Sequence, residues 1–168
     1  MRTIYIFLDI DGVLNSESAF IYNYQQYKKG IAKDTVAVVD EQRLIIFNDL
    51  CERIKKADCK FKIILSSTWR KSNDLIKILE DRLNEYNLTI DDMTCHIGSL
   101  RGYQISHYCE SHNISKDDVV ILDDDNDMDN YIDRLINTYF RDGLTYSDTE
   151  KALILLGLEE QVWKSERI

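Results

Sequence analysis

Short apolar runs along the chain are separated by stretches in which apolar residues recur every three or four positions. The runs are rich in β-branched and aromatic residues, as buried strands are. Their bounds predict strands at Thr3–Leu8, Phe61–Leu65, Val119–Leu122 and Leu135–Phe140, with a weaker strand near Thr94–Ile97.

The stretches between these runs have the period of amphipathic helices, in which residues three and four apart share one face. Ser147 stands where it can cap the last of them, and Gly157 where it can end it. The predicted helices are Glu41–Lys56, Asn73–Tyr86, Tyr103–Ser111 and Ser147–Leu156.

The alternation of strands and helices predicts the fold class. Each strand is nearly apolar throughout, as strands are when helices cover both faces of a parallel sheet. We therefore predict an α/β fold with a doubly wound parallel sheet. Repeats, low-complexity tracts and Gly/Ser linkers are absent from the sequence, which predicts a single domain over residues 1–168.

Polar residues follow the carboxyl ends of the predicted strands, the edge at which such sheets bind ligands. Buried carboxylates are costly unless a partner stabilises their charge, and Mg²⁺ is a common partner of carboxylates. Acids gathered at this edge therefore indicate a cation. The residues are Asp9 and Asp11, then Ser66, then Asp123–Asp125, and finally the turn Arg141–Asp142–Gly143.

The acidic run after the third long strand has two other interpretations. Asp123, Asp125 and Asp127 alternate as in a calcium loop, but Met128 stands at the glycine position and Arg134 at the twelfth. The EF-hand pattern therefore fails at both positions. A solvated acidic loop stays open as an alternative.

Composition narrows the function classes. The sequence is 44% hydrophobic and 30% charged, with a formal net charge of −9 and a pI of about 4.8. This composition is typical of a globular protein. The negative charge argues against a surface that coats nucleic acids or anionic membranes, although it allows a local basic groove.

The cysteines and the N-terminal run bear on location. Cys51, Cys59, Cys95 and Cys109 form no CxxC pair, and we interpret them as reduced thiols. The first apolar run ends at Asp9, too early for a secretory signal, and no stretch approaches the roughly 18 apolar residues of a membrane span. We expect a cytoplasmic protein without membrane association.

A group of cysteines and histidines invites a zinc interpretation. Its spacing fits no standard zinc motif, so we do not expect zinc there. The group consists of Cys95, His96, His107, Cys109 and His112.

Four motifs follow one another in order: DIDGVL at 9–14, IILSS ending at Ser67, Arg101, and ILDDD at 121–125. Together they resemble the haloacid dehalogenase-like (HAD) phosphohydrolase superfamily over essentially the whole chain. SSTWR, RGYQI, ILDDDNDM and DGLT further resemble the small HAD domain of RNA-repair proteins. That domain is related to the 3′-phosphatase part of bacteriophage polynucleotide kinase-phosphatase. The resemblance implies a HAD-like Rossmannoid fold.

The resemblance also implies catalytic roles. Asp9 would be the nucleophile that forms an aspartyl-phosphate, and Asp11 the general acid and later the general base. Ser66 would bind the phosphoryl oxygens. Asp124, helped by Asp123, would hold Mg²⁺ together with Asp9 and the backbone carbonyl of Asp11. An acid at position 11 is shared by phosphatases and phosphomutases, whereas dehalogenases and phosphonatases lack it.

The basic residue of the resemblance has two candidates. Arg101 stands at the expected place, where it would counter charge on the transferring group. Many relatives have a lysine in this role, and Lys116 is the alternative. Relatives often carry an acid after RGx where this chain has Gln104, so the group that orients Arg101 stays open.

The residues after Ser66 are candidates for substrate binding. Ser67, Trp69 and Arg70 would lie at the mouth of the site, where an arginine reads a second phosphate and a tryptophan stacks on a base. The alternative is a core tryptophan and a surface arginine.

The segment from Ser16 to Asp40 lies where HAD enzymes insert a cap, and it is too short for a full cap domain. We expect a short flap there. An open site rimmed by aromatics and lysines would admit a polymer end; an amphipathic helix with its charged face in water is the alternative. The residues concerned are Tyr22, Tyr24, Tyr27, Lys28, Lys29 and Lys33.

These inferences lead to an expected function. We expect a Mg²⁺-dependent phosphomonoesterase that acts on a phosphorylated nucleic-acid end or a nucleotide, with a repair kinase or ligase as a working partner. A small-molecule phosphatase and a non-catalytic module on the same fold remain the alternatives.

Overall fold

The apolar runs of the sequence become the strands of one parallel sheet. A computed structural model describes residues 1–33 and 38–159, so residues 34–37 of the predicted flap and 160–168 of the predicted domain lie outside the described residues. The strands are β1 (Thr3–Leu8), β2 (Lys60–Leu65), β3 (Asp92–Met93), β4 (Val119–Asp123) and β5 (Leu135–Asn137). Their order in the sheet is β3-β2-β1-β4-β5, and every pair is parallel.

Helices connect the strands, and short 3₁₀ turns occur between them. The helices are α1 (Glu17–Lys28), α2 (Glu41–Lys56), α3 (Asn73–Asn84), α4 (Arg101–Ser111) and α5 (Tyr146–Leu156). The 3₁₀ turns are Thr68–Lys71, Lys116–Asp118 and Asp129–Arg134. None of the helices that the structure describes is long and apolar enough to cross a membrane.

The central strand β1 packs against helices on both of its faces. Ile4, Ile6 and Leu8 point into the larger core with α2, α3 and α5, whereas Phe7 points into a smaller core with α4. This follows from the alternation of side chains along a strand. The prediction of a doubly wound parallel α/β sheet is confirmed, and the described residues contain no full cap domain.

Two predicted strands differ from the observed ones by more than one residue. The weak strand near Thr94–Ile97 is instead Asp92–Met93, because its partner β2 ends at Leu65, whose carbonyl accepts the last hydrogen bond, from the Thr94 N–H. The strand predicted at Leu135–Phe140 ends at Asn137. There the chain turns, and the Gly143 N–H donates to the Tyr139 carbonyl.

Three helix ends also differ from the prediction. Helix α3 ends at Asn84 rather than Tyr86, and α4 begins at Arg101 rather than Tyr103. Helix α5 is capped by Thr145 rather than Ser147, because Thr145 and Asp148 form a reciprocal capping box. Gly157 ends α5 in the left-handed conformation, as predicted.

Candidate active site

The turn after β1 brings together two acids from different motifs of the sequence. Gly12 adopts a φ of +79°, and its N–H donates to the Asn15 side chain at 2.9 Å. A Cβ atom at this position would lie 2.5 Å from the carboxyl group of Asp124. Only glycine therefore lets Asp124, which follows β4, lie against the turn that carries Asp9.

Three carboxylates form a cluster at this edge of the sheet. Asp9, Asp123 and Asp124 each place one oxygen within 4.8 Å of the others. Asp9 is 5% exposed and Asp123 is fully buried. Among the described residues this is the group that brings three potential metal ligands together.

Burial makes the ionised form of these acids costly. Desolvation raises the pKa of Asp9 above its ordinary value, against the opposing charge of Arg101. Burial and the neighbouring charge of Asp9 raise the pKa of Asp123 to about 7 and that of Asp124 to about 6. A cation among them would relieve both effects.

Arg101 links two of the three acids. Its Nη1 atom lies 3.0 Å from Asp9 Oδ1 and 2.5 Å from Asp123 Oδ2. Burial opposes the charged guanidinium, but the charges of Asp9 and Asp123 outweigh it and raise the pKa of Arg101 above its ordinary value. Three carboxylates and one guanidinium leave a net charge of −2 when all are ionised.

The acidic loop after β4 holds the start of α4, and with it Arg101, by hydrogen bonds. Asp127 accepts the Arg101 N–H on its side chain at 3.0 Å and the Gly102 N–H on its backbone carbonyl at 3.0 Å. A Cβ at Gly102 would lie 2.2 Å from the Met128 carbonyl, so the glycine is required for this close approach. The alternative base, Lys116, pairs with Asp133 at 2.6 Å and precedes β4, at the opposite end of that strand from the cluster.

Two serines follow β2 and face the same region. Ser67 lies near enough to Asp9 for its side chain to lower the pKa of that carboxyl group, although burial outweighs this effect, and its Oγ accepts the Trp69 N–H at 3.3 Å. The Ser66 N–H donates to the Leu8 carbonyl, while its hydroxyl is buried and has no hydrogen-bond partner among the described residues. Such a buried hydroxyl costs about 1–3 kcal/mol until a partner is found.

Arg70 is not the surface arginine of the alternative interpretation. It is buried, and its guanidinium donates to the carbonyls of Ser66 at 2.8 Å, Ser67 at 2.6 Å and Thr94 at 3.2 Å. A fourth hydrogen bond goes to Gln104 Oε1 at 2.8 Å. Arg70 therefore holds the serine turn, and Gln104 orients Arg70; reading of a second phosphate by Arg70 stays a prediction.

Trp69 lies in the core with 3% of its surface exposed, so its ring is not open to a stacking base. Its Nε1–H donates to Asp11 Oδ2 at 3.2 Å. The other oxygen of Asp11 accepts from Asn15 Nδ2 at 2.8 Å, and the same nitrogen donates to the Val38 carbonyl at 2.9 Å. Asp11 is thus held by two side chains, from the turn after β1 and from the serine turn.

Sequence reasoning gave no supporting role in the site to Asn15, Asp127 or Thr138. Thr138, after β5, donates its hydroxyl to the Gly12 carbonyl at 2.7 Å and so supports the turn that carries Asp9 and Asp11. For Asn15 a signal exists, since an asparagine shortly after a glycine is typical of a side chain that bonds its own turn. Nothing local in the sequence indicates Asp127 or Thr138.

Two other predicted groups lie apart from the cluster. In the turn Arg141–Asp142–Gly143, the Arg141 side chain is 81% exposed, and Gly143 packs against the backbone of Asn15 and Val13. In the cysteine and histidine group, Cys95 Sγ lies 3.7 Å from His107 Nδ1, whereas Cys109 is buried in the smaller core.

An open cleft adjoins the cluster on the side of Arg101. It has a volume of about 410 Å³, and Thr68, Lys71, Ser99 and Arg101 are among the residues that line it. The site is therefore large enough to admit a molecule much larger than phosphate itself.

The fold and the site define a HAD-like α/β domain: a doubly wound parallel sheet with acids after β1 and β4 and a serine after β2. Residues 5–149 match the family described as the HAD domain in Swiss Army Knife RNA repair proteins, and the chain belongs to this family. No curated protein and no solved structure is significantly similar to the chain. Membership in the family supports a HAD-type phosphatase, and HAD domains typically use Mg²⁺.

Proposed function

We propose that this chain is a Mg²⁺-dependent phosphomonoesterase that forms an aspartyl-phosphate on Asp9 and acts on a phosphorylated nucleic-acid end or nucleotide. The observation that carries this proposal is the cluster of Asp9, Asp123 and Asp124, within 4.8 Å of one another and joined by Arg101. Phosphoryl transfer depends mainly on positioning and on neutralising charge, and this cluster offers both.

The donor set fits Mg²⁺, which prefers oxygen ligands and usually binds one or two carboxylates. Asp123 accepts hydrogen bonds on both oxygens, from Arg101 and from the Asp125 N–H. Asp9 and Asp124, with the backbone carbonyl of Asp11, are therefore the direct ligands we expect, and Asp123 supports them. When bound, the ion would neutralise charge on the phosphoryl oxygens.

The first chemical step uses Asp9 and Asp11. A carboxylate oxygen of Asp9 attacks phosphorus, the bond from phosphorus to the ester oxygen breaks, and Asp11 gives its proton to that oxygen. In the structure both oxygens of Asp11 accept hydrogen bonds. Each oxygen keeps a second lone pair, so Asp11 can carry the proton while Asn15 and Trp69 still hold it in place.

The second step restores the enzyme. Asp11, now a carboxylate, takes a proton from water, the water oxygen attacks phosphorus, and the bond to Asp9 breaks to release inorganic phosphate. We propose that the hydroxyl of Ser66, which lacks a partner among the described residues, donates to a phosphoryl oxygen, and that Arg101, beside Asp9, adds a further donor.

The family and the open cleft favour a nucleic-acid end as substrate. The family is described by its RNA repair proteins. The cleft beside Arg101 leaves room for the rest of a nucleotide. Removing a 3′-phosphate leaves a 3′-hydroxyl, which is the group that a ligase joins, so a repair ligase or kinase is the partner class that we propose.

A panel of phosphate esters tests the proposal. We expect phosphate release that requires Mg²⁺, is lost in EDTA, and is fastest with a 3′-phosphorylated oligonucleotide. The panel also contains a 5′-phosphorylated oligonucleotide, mononucleotides, a sugar phosphate and p-nitrophenyl phosphate. Preference for small esters would overturn the nucleic-acid substrate and favour a small-molecule phosphatase. If the folded protein binds Mg²⁺ but releases phosphate from none of these esters, the result would favour a non-catalytic module.

Replacing Trp69 by phenylalanine tests whether its N–H positions Asp11. We expect Trp69→Phe to lower kcat by roughly tenfold with little change in KM, because the ring stays in the core while Asp11 loses one donor. Steady-state kinetics on p-nitrophenyl phosphate would measure this. Tyr103→Phe, at an exposed site, is the control. A change in KM alone would contradict the positioning role.

The raised pKa values of Asp123 and Asp124 predict that Mg²⁺ binding releases protons. Their carboxyl groups must be ionised to bind the ion, so the affinity for Mg²⁺ should rise by roughly 100-fold between about pH 5.5 and pH 7.5. Titration calorimetry in two buffers of different ionisation enthalpy would detect the released protons. Affinity that is independent of pH would contradict this prediction.

The same shifts predict how stability depends on pH without metal. The folded-state pKa values, about 7 and about 6, lie above the ordinary value, so folding takes up protons. The stabilising contribution is present at low pH and is lost as pH rises through these values. We therefore expect the Tm in EDTA to fall between about pH 5 and pH 8 and Mg²⁺ to reverse the fall. Asp124→Asn should reduce the slope.

A further inference from the structure

Helix α1 lacks the buried face that holds most surface helices to a core. None of its residues is buried. Ile21, Tyr22, Tyr24 and Tyr27 are exposed by 54%, 63%, 49% and 49%. The aromatic side chains of α1 therefore contribute little to the core, and another role must account for their exposure.

Three aromatic side chains of α1 lie along one face of the helix. Phe20, Tyr24 and Tyr27 are spaced four and three residues apart, which places them on one face of the helix. The Phe20 ring stacks on Phe140, with ring centroids 5.8 Å apart and an interplanar angle of 21°. We call Phe140, Phe20, Tyr24 and Tyr27 the aromatic stripe. It extends about 10 Å along the helix.

The stripe begins at the loop after β5, which supports the candidate active site. The Glu17 N–H donates to the Phe140 carbonyl at 2.9 Å, which fixes the start of α1 to the loop after β5. In that loop, the Thr138 hydroxyl donates to Gly12, and Gly12 lies against Asp124. A chain lying on the stripe would therefore lead towards the acidic cluster.

The charge of this segment is opposite to that of the whole chain. Residues 16–33 contain three lysines, Lys28, Lys29 and Lys33, and one acid, Glu17, whereas the whole chain carries a net charge of −9. The Lys28 ammonium lies 5.3 Å from the centre of the Tyr24 ring. Lysine is depleted in protein–protein interfaces, whereas aromatics interleaved with basic residues are typical of surfaces that bind single strands.

We propose that the aromatic stripe binds the single-stranded part of a nucleic-acid substrate, whose bases stack on Tyr24 and Tyr27 while Lys28 and Lys29 meet its phosphates. This inference rests on the proposed function and states which surface holds the substrate. It explains why α1 keeps aromatic rings in water and why this segment is basic in an acidic chain.

Binding and turnover together test the stripe. Binding is measured in the Asp9→Asn background by fluorescence anisotropy with a 3′-phosphorylated oligonucleotide of about 12 nucleotides. We expect Tyr24→Ala with Tyr27→Ala to weaken binding by about 10- to 100-fold, Tyr24→Phe with Tyr27→Phe to keep it, and Tyr22→Ala, on another face of α1, to leave it unchanged. Circular dichroism would verify that α1 remains helical.

Turnover separates this inference from the proposed function. These assays use protein that keeps Asp9. We expect kcat/KM for oligonucleotides, divided by kcat/KM for p-nitrophenyl phosphate, to rise with oligonucleotide length, and we expect the double alanine variant to lose that rise. If the protein hydrolyses oligonucleotides and the double alanine variant binds them as tightly as the unmutated protein does, this inference is overturned while the proposed function stands. Binding that the double variant weakens, without turnover of any ester, would overturn the proposed function and support the stripe. The stripe could instead join two copies of the chain. A dimer that the double alanine variant loses and that oligonucleotide does not affect would also overturn this inference.

Discussion

Asp9→Asn should lower kcat for phosphate release by at least about 10⁴-fold, because it replaces the proposed nucleophile by an amide, whose oxygen is a poor nucleophile. The substitution preserves the shape of the side chain and the contact with Arg101. The loss would therefore report chemistry rather than misfolding. Single-turnover and steady-state assays with p-nitrophenyl phosphate would measure it.

The same variant should be no less stable than the unmutated protein. Burial raises the pKa of Asp9, so its ionised form is unfavourable in the folded state at neutral pH. We expect the Tm of Asp9→Asn in EDTA at about pH 7.5 to be equal or higher. Asp125→Asn, in the same acidic run but exposed, is the matched control and should keep full activity. Comparable losses in both variants would contradict the assignment of Asp9.

Arg101→Met should lower kcat/KM by about 10²- to 10³-fold, since it removes the cation that faces the transferring group. It should also destabilise the protein by about 3 kcal/mol at alkaline pH in EDTA, because it leaves buried acids without their guanidinium. The destabilisation should shrink near pH 5.5, where Asp123, with a pKa of about 7, is neutral. Chemical denaturation at both pH values would test this.

Arg101→Lys should keep most of the activity. Both contacts with the acids come from one nitrogen, Nη1, so a single ammonium group can replace it. Lys116→Met is the matched control and should have no effect on turnover, since Lys116 pairs with Asp133 at 2.6 Å. Loss of activity in Lys116→Met with activity kept in Arg101→Met would reverse the assignment of the basic residue.

Much of the fold could be predicted because its signals are local. The runs that form β1, β2 and β4 are mostly apolar, and α2 occupies the predicted Glu41–Lys56 without change. The cap of α5 could not be chosen from spacing alone, since Thr145 and Ser147 both suit a cap, and only the reciprocal bond with Asp148 decides. The end of β3 depends on where its partner β2 stops, which is a property of the assembled sheet.

The candidate site likewise has features that the sequence predicts and features that depend on the assembled fold. The motifs of the sequence place Asp9, Asp123 and Asp124 at strand ends, and the parallel sheet brings those ends together. The hydrogen bond between Trp69 and Asp11 joins residues 58 positions apart, so no local pattern indicates it. Whether Arg70 faces solvent or the interior likewise depends on acceptors that three different segments supply.

Trapping of the covalent intermediate tests the central claim most directly. The protein would be mixed with Mg²⁺ and a 3′-³²P-phosphorylated oligonucleotide, quenched with acid within the first turnover, digested and analysed by mass spectrometry. The account predicts a phosphate on the peptide that contains Asp9, absent from Asp9→Asn and from samples in EDTA. Mg²⁺-dependent phosphate release that leaves no label on that peptide and persists in Asp9→Asn would contradict it.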